Sequence, residues 1–249
     1  MKKFAAYILA AGVILTLTAC GGTGSNGTGG QGGTKSAANT DTAMTVPISS
    51  SDELEETVNK DVEDTIAGLN KEYQQYKKEI SSYEKYVENT DKVEAFYKKI
   101  YDTNYELCLR MEEYSLNYAQ KVVSSDISYD EKYDELEAIY DYVYDDAGDD
   151  IYDEIYKGIM DDIYDDYYSG IVKDGYDVAP YKEWSDTLSQ EYDWWSDTMS
   201  DVYETWSDYH SEVYEFCSDV RSEVYANDME QANKKIADFK EDIEELKEK

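Results

Sequence analysis

The sequence predicts an all-α protein, an elongated up-and-down bundle of four to five coiled-coil-like helices that follows a disordered tether. Three observations carry this. From residue 51 onward apolar residues recur at spacings of three and four, with no period-two alternation. Proline occurs only at Pro47 and Pro180, so the long segments between breaks contain nothing that opposes a helix. The segment after Pro180 repeats every eleven residues, as Trp184-Ser185-Asp186, Trp195-Ser196-Asp197, Trp206-Ser207-Asp208 and Cys217-Ser218-Asp219. Eleven residues in three turns keep a stripe in line along a nearly straight helix.

The chain opens on Lys2 and Lys3, then an apolar run from Phe4 to Leu17, then small residues before Cys20. That is the layout of a secretory signal, and the run is shorter than the roughly 20 apolar residues that span a bilayer. Leu17-Thr18-Ala19-Cys20 resembles the lipobox of bacterial membrane lipoproteins. The resemblance covers only residues 1–20. It implies cleavage of residues 1–19, lipid attachment at Cys20 and a lipid-anchored protein on the extracytoplasmic face of a bacterial membrane, held there by its acyl chains. Residues 20–50 continue in Gly, Ser, Thr, Asn and Ala, the composition of a flexible tether whose typical reach is roughly 30 Å.

Five helices are expected over about 52–88, 91–123, 128–173, 181–226 and 228–248, within one acidic, tyrosine-rich domain spanning 51–249. The first carries Leu54, Val58, Val62, Leu69, Tyr73, Tyr76, Ile80, Tyr83 and Val87 on one face; Asn89-Thr90-Asp91 interrupts it. Asp91 with Glu94, and Ser128 with Glu131, have the spacing of capping boxes that start the second and third helices. The stripe of the second runs Val93, Tyr97, Ile100, Leu107, Met111, Tyr114, Tyr118 and Val122. The third falls into tetrads, among them Ile151-Tyr152, Ile155-Tyr156, Ile159-Met160 and Ile163-Tyr164. Four residues turn about 400° in an α-helix, so this stripe should slide by about 40° per tetrad and meet neighbours on more than one side. Gly175 to Pro180 ends that helix, and the tip of its hairpin should project. In the fourth, Tyr192, Tyr203, Tyr214 and Tyr225 echo the eleven-residue repeat. After Asn227-Asp228 a heptad-like pattern of Met229, Ala232, Ile236, Phe239, Ile243 and Leu246 marks a shorter fifth helix.

Composition excludes more than it assigns. There are 57 acidic and 23 basic residues, a formal charge of −34, which removal of Lys2 and Lys3 makes more negative still. Such a charge opposes nucleic acid, whose binding rests on Lys and Arg, and opposes docking on anionic lipid. Between Ser125 and Tyr225 stand 31 acidic residues against Lys132, Lys157, Lys173, Lys182 and Arg221. The bland account is a solvated face; the functional one is a strip for a basic protein, a cationic peptide or a cation-bridged wall polymer. Within it, Asp161, Asp162, Asp165 and Asp166 are candidate contact residues.

His210 is the only histidine, which removes the common zinc and di-iron templates. It stands where Leu188 and Met199 stand in the repeat, so it reads as a stripe residue. The imelysin-type iron-uptake lipoproteins carry His-x-x-Glu, and His210-Ser211-Glu212-Val213 departs from that motif, so that family is not assigned. Asp145-Asp146-Ala147-Gly148-Asp149-Asp150 lacks the alternating oxygens of a calcium loop. No cofactor, metal site or catalytic residue is expected. Cys108 and Cys217 lie in helical apolar patterns, where small buried thiols are common, although the expected compartment permits a disulfide. Trp184, Trp195 and Trp206 are expected to pack in the core. Trp194 falls off their stripe and is the aromatic candidate for contact.

The functional expectation is a non-enzymatic, lipid-anchored helical binding module that presents an acidic, aromatic surface to a partner outside the cell. The alternative is a structural or accessory subunit of an envelope complex, docking through its helices with the fifth as a coiled coil. An enzyme is a distant third, because no acid, base, nucleophile or ligand set converges.

Overall fold

Every described element in the computed structural model, which describes residues 48–248, is helical. Cys20, the signal and most of the tether lie outside the described residues. Helix α1 (Ser51–Glu79) starts where the Ser50 hydroxyl accepts from the Glu53 amide. It ends ten residues before the expected break, because Ile80 leaves helical geometry and the Ser82 side chain caps a new start at the Lys85 amide. A short helix α2 (Tyr83–Glu88) follows. The break rotates the stripe, so Tyr86 is buried where Val87 was expected, and Val87 is 47% exposed.

Helix α3 (Thr90–Ser124) carries the stripe read from the sequence, with Val93, Tyr97, Ile100, Leu107, Met111, Tyr118 and Val122 buried. Its cap differs. Asn89 is the N-cap residue and its side chain donates back to the Lys85 carbonyl instead of capping α3, so the Asp91–Glu94 capping box does not form. The Ser128–Glu131 box does form, with both reciprocal bonds present.

Helix α4 runs over 129–174 and is not a simple α-helix. Three π-helical stretches, Ile139–Asp146, Tyr152–Ile159 and Tyr164–Val172, alternate with α-turns at Ala147–Ile151 and Met160–Ile163. A tetrad overshoots one α-turn but undershoots one wider π-turn, so alternating them cancels the drift. Hence Ile139, Val143, Ala147, Ile151, Ile155, Ile159, Ile163 and Tyr167, four apart throughout, are all buried. The expected slide of the stripe is absent for this reason. Helix α4 nevertheless packs against α1 and α3 as well as the helix that follows.

Gly175 begins a 3-10 turn, and its buried position rests against the Tyr83 ring, where a Cβ would stand 2.2 Å from a ring carbon. Gly175 itself is covered by α2, whereas Tyr176, Val178 and Tyr181 around the turn are 59%, 62% and 70% exposed. Helix α5 (Tyr181–Tyr225) is one uninterrupted α-helix. It stops at Asn227, whose φ of 65° is tolerated by asparagine. The Asn227 amide donates to Val224 and the Asp228 amide to Glu223, the paired bonds of a Schellman ending. Helix α6 (Met229–Lys247) then turns back, capped by Asp228, and buries Ala232, Ile236, Phe239 and Ile243 against α3 and α5.

Successive long helices alternate in direction, which leaves α3 and α5 parallel where they pack together. Arg110 of α3 reaches Asp61 of α1 at 2.7 Å while Lys99 reaches Glu72, which sets those two antiparallel. Between α3 and α5, Glu191 is fully buried and accepts from the hydroxyls of Tyr86 and Tyr97, the latter at 2.6 Å. Burial raises its carboxyl to about 7. Cys108 and Cys217 are separate free, buried thiols. No described helix is long and apolar enough to cross a membrane.

Candidate functional site: an aromatic ladder beside an aspartate column

Helices α4 and α5 meet along a repeated contact. Each repeat tryptophan of α5 donates its indole N–H to a backbone carbonyl of α4: Trp184 to Val172 at 2.9 Å, Trp195 to Met160 at 2.9 Å and Trp206 to Gly148 at 2.8 Å. Cys217, the fourth member, places Sγ 3.4 Å from the Leu136 carbonyl. The donors are eleven residues apart and the acceptors twelve. The Gly148 carbonyl shares the Tyr152 amide with Asp149, and that of Met160 shares the Tyr164 amide with Asp161, so the indoles complete weakly served acceptors.

A set of rings accompanies each contact. Tyr164 and Tyr168 stack at 4.9 Å and meet Trp195 at 4.7 Å and Tyr192 at 5.6 Å. Tyr152 and Tyr156 stack at 5.0 Å and meet Trp206 at 4.6 Å and Tyr203 at 5.3 Å. Tyr140 and Tyr144 stack at 4.9 Å and meet Tyr214. Here His210 lies over Tyr144 at 3.9 Å and over Trp206 at 4.9 Å, and its burial lowers its affinity for a proton. It is a stacked member of the stripe. These rungs recur about every 16 Å, from eleven residues at 1.5 Å rise. Tyr192, Tyr203 and Tyr214 are each close to half exposed.

The tetrad geometry of α4 sorts its acids into columns. Asp141, Asp145, Asp153 and Asp165 follow the ladder tyrosines by one residue, Asp149 and Asp161 continue the same four-residue column after Gly148 and Met160, and all six are exposed. The next column holds Asp146, Asp150, Glu154, Asp162 and Asp166. Partial burial, then neighbouring carboxylates, raise Asp141, Asp146 and Asp150 above the usual aspartate range. The candidate contact aspartates therefore divide. Asp161 and Asp165 border the ladder. Asp166 accepts from the Tyr73 hydroxyl and pairs with Lys77 at 2.5 Å, while the Asp162 backbone carbonyl accepts from Tyr73 at 2.9 Å. Trp194 is half-buried against the core and stands apart from the ladder.

Lys157 takes a place in the aspartate column, and it shows what the face can hold. Its Nζ lies 4.3 Å from the Tyr152 ring centre and 2.7 Å from Asp153, between an aromatic face and a carboxylate.

The ladder was not read from the sequence, although a signal existed. Tyr140-Asp141, Tyr152-Asp153, Tyr164-Asp165 and Tyr176-Asp177 repeat at twelve, masked by the stronger period of four. Among the described residues no group of three or more His, Cys, Asp or Glu side chains is placed to hold a metal ion. Compared with protein-family models, with curated proteins and with solved structures, the chain matches none.

Proposed function

We propose that this protein is a non-enzymatic binding module, anchored by lipid on Cys20 outside a bacterial membrane, whose α4–α5 face takes ammonium or guanidinium groups of a basic protein or peptide. One observation carries the reading. The chain's own Lys157 is lodged between Tyr152 and Asp153, and the rung at Tyr164 repeats that ring and carboxylate as Tyr164 and Asp165, with Ser169 where Lys157 stands in its own repeat. A cation over a tyrosine face contributes about 0.5–1 kcal/mol at an exposed site, so several rungs are needed for useful affinity. A basic chain that spans rungs about 16 Å apart supplies them. A cation-bridged wall polymer could use the same column through its counterions.

The accessory-subunit alternative draws less support. The apolar stripe of α6, which was to dock as a coiled coil, is covered by α3 and α5 of the same chain.

A basic peptide such as oligolysine, titrated into the full chain at low and physiological salt, tests the reading. Binding should weaken steeply with salt, because exposed charges are screened beyond about 8 to 10 Å. Asp161→Lys with Asp165→Lys should slow association severalfold and leave the melting temperature unchanged or higher, by relieving repulsion. Unchanged association in that variant, with loss in Trp194→Ala, would move the contact away from the ladder.

A further inference from the structure

On the side of α5 away from the ladder, α3, α5 and the end of α6 border an open cavity of about 650 Å³. Asp208 and Glu212 lie five and nine residues beyond Tyr203, which turns them roughly 140° to 180° around the helix. The cavity wall contains Asp102, Glu112, Asp201, Glu204, Asp208 and Glu212, and its basic residue, Lys98, is already paired with Asp102 at 2.7 Å. Acid crowding alone would describe only a solvated surface. Glu112 is different: it is 3% exposed, and its Oε2 has no hydrogen-bond partner. A buried carboxylate oxygen left unsatisfied costs free energy that a donor from a ligand would recover.

We infer that this cavity binds a linear oligoamine, with one primary ammonium donating to Glu112 Oε2 and the next amines lying along the Asp208, Glu204 and Asp201 side of α5. Three features select that class. Once ionised, the Glu112 carboxylate only accepts, so a ligand that satisfies Oε2 in that form must donate. The volume falls within the range of small-molecule sites. The carboxylates are spread along about seven residues of α5, roughly 10 Å, and are not gathered as a metal site requires. Tyr101, Tyr105 and Tyr209 give the amine's methylene chain rings to lie against.

Binding should displace a proton. Burial, then Glu212, Glu113, Asp208 and Asp242, raise Glu112 to about 8. Cys108 and Tyr209, raised mainly by burial, add no positive charge, and Lys247 is held by Glu113 at 2.6 Å. An ammonium beside Oε2 favours the carboxylate, so near neutral pH a bound amine expels the Glu112 proton and affinity rises toward pH 8.

Calorimetry of spermidine with the full chain, in two buffers of different ionisation enthalpy, reads both stoichiometry and proton release. One saturable site per chain is expected above the diffuse background, releasing a fraction of a proton at pH 7. Glu112→Gln keeps the shape and removes the buried charge; it should lose roughly tenfold in affinity or more and abolish the proton release. A fully quaternised analogue, with charge but no N–H, should bind weakly to both proteins. Equal affinity of spermidine for the wild type and Glu112→Gln, or equal binding of the methylated analogue, would reduce the site to diffuse counterion attraction. Asp165→Lys on the ladder should leave proton release intact, which separates this site from the proposed partner face.

Discussion

Helices α4 and α5 share one row of bonds, yet α5 counts eleven residues between successive tryptophans and α4 counts twelve between the carbonyls they meet. At 1.5 Å per residue the α5 repeat is about 16.5 Å long, so α4 rises only about 1.4 Å per residue over the same length. The extra residue in each α4 repeat has to be absorbed, and it is taken up by widening the helix into π-turns. Glycines mark two of them. At Gly158 and Gly170 a Cβ would stand 3.2 and 3.1 Å from the carbonyl five residues back. Two helices of similar composition thus differ in winding because their repeats differ by one residue.

The largest expected effect comes from disturbing the count on the helix with no slack. Deleting Ser200 rotates all of α5 beyond it by about 100° relative to the upstream half. Val202, Tyr209, Val213, Phe216, Val220 and Val224, all buried, would then leave the core. The expected cost exceeds the 5–15 kcal/mol of a typical domain, so circular dichroism should show no cooperative melting.

Next in size is the change with pH. Glu112 at about 8 and Glu191 at about 7 both bind protons more tightly folded than at their ordinary value of 4.5. The folded chain therefore holds more protons between pH 4.5 and 8. This part of the stability is complete below pH 4.5 and is lost as pH rises through 7 and 8, by on the order of a few kcal/mol for the two together. Melting temperature should fall from pH 5 to pH 8.5, and Glu112→Gln should flatten the upper part of the fall. A profile that rises over this range would show that burial does not raise these two acids.

Glycine replacements give the smaller effects and locate the tight contact between the two helices. A Cβ at Gly148 would lie 2.8 Å from the His210 ring, which is wedged between Tyr144 and Trp206 and has little room to yield. Gly148→Ala should destabilise by about 1–3 kcal/mol. Gly68, exposed within α1 with nothing near its Cβ, should gain about 0.5–1 kcal/mol as alanine. Urea denaturation of the two variants checks the opposite signs.

Much of this architecture was legible because apolar spacing and break residues act locally. The Ser128–Glu131 box, the Asn227-Asp228 break and the α3 stripe follow from neighbours within a few residues. The cap at Ser82 was missed because Ser81 and Ser82 interrupt a stripe whose period continues through them. The π-turns were missed because the period of four on α4 reads as a sliding α-helical stripe, and the meaning of its twelve-residue repeat shows only beside the eleven-residue repeat of α5. Glu112 was hidden for the opposite reason. Nothing in its own helix distinguishes it from Glu113, and only packing of α5 and α6 over α3 buries one and leaves the other to meet Lys247.

The smallest expected effect is also the most direct test of the twelve-to-eleven account. Gly158 lies within the π-turn between the Gly148 and Met160 carbonyls, so deleting it makes the two repeats equal there. The deletion should convert Tyr152–Ile159 to α-helix and leave both neighbouring indole bonds in place. Stability should stay within about 1 kcal/mol of the parent, since no core side chain changes face. If the Gly158 deletion unfolds the chain as the Ser200 deletion does, the π-turns are not the place where the extra residue is absorbed, and the account fails.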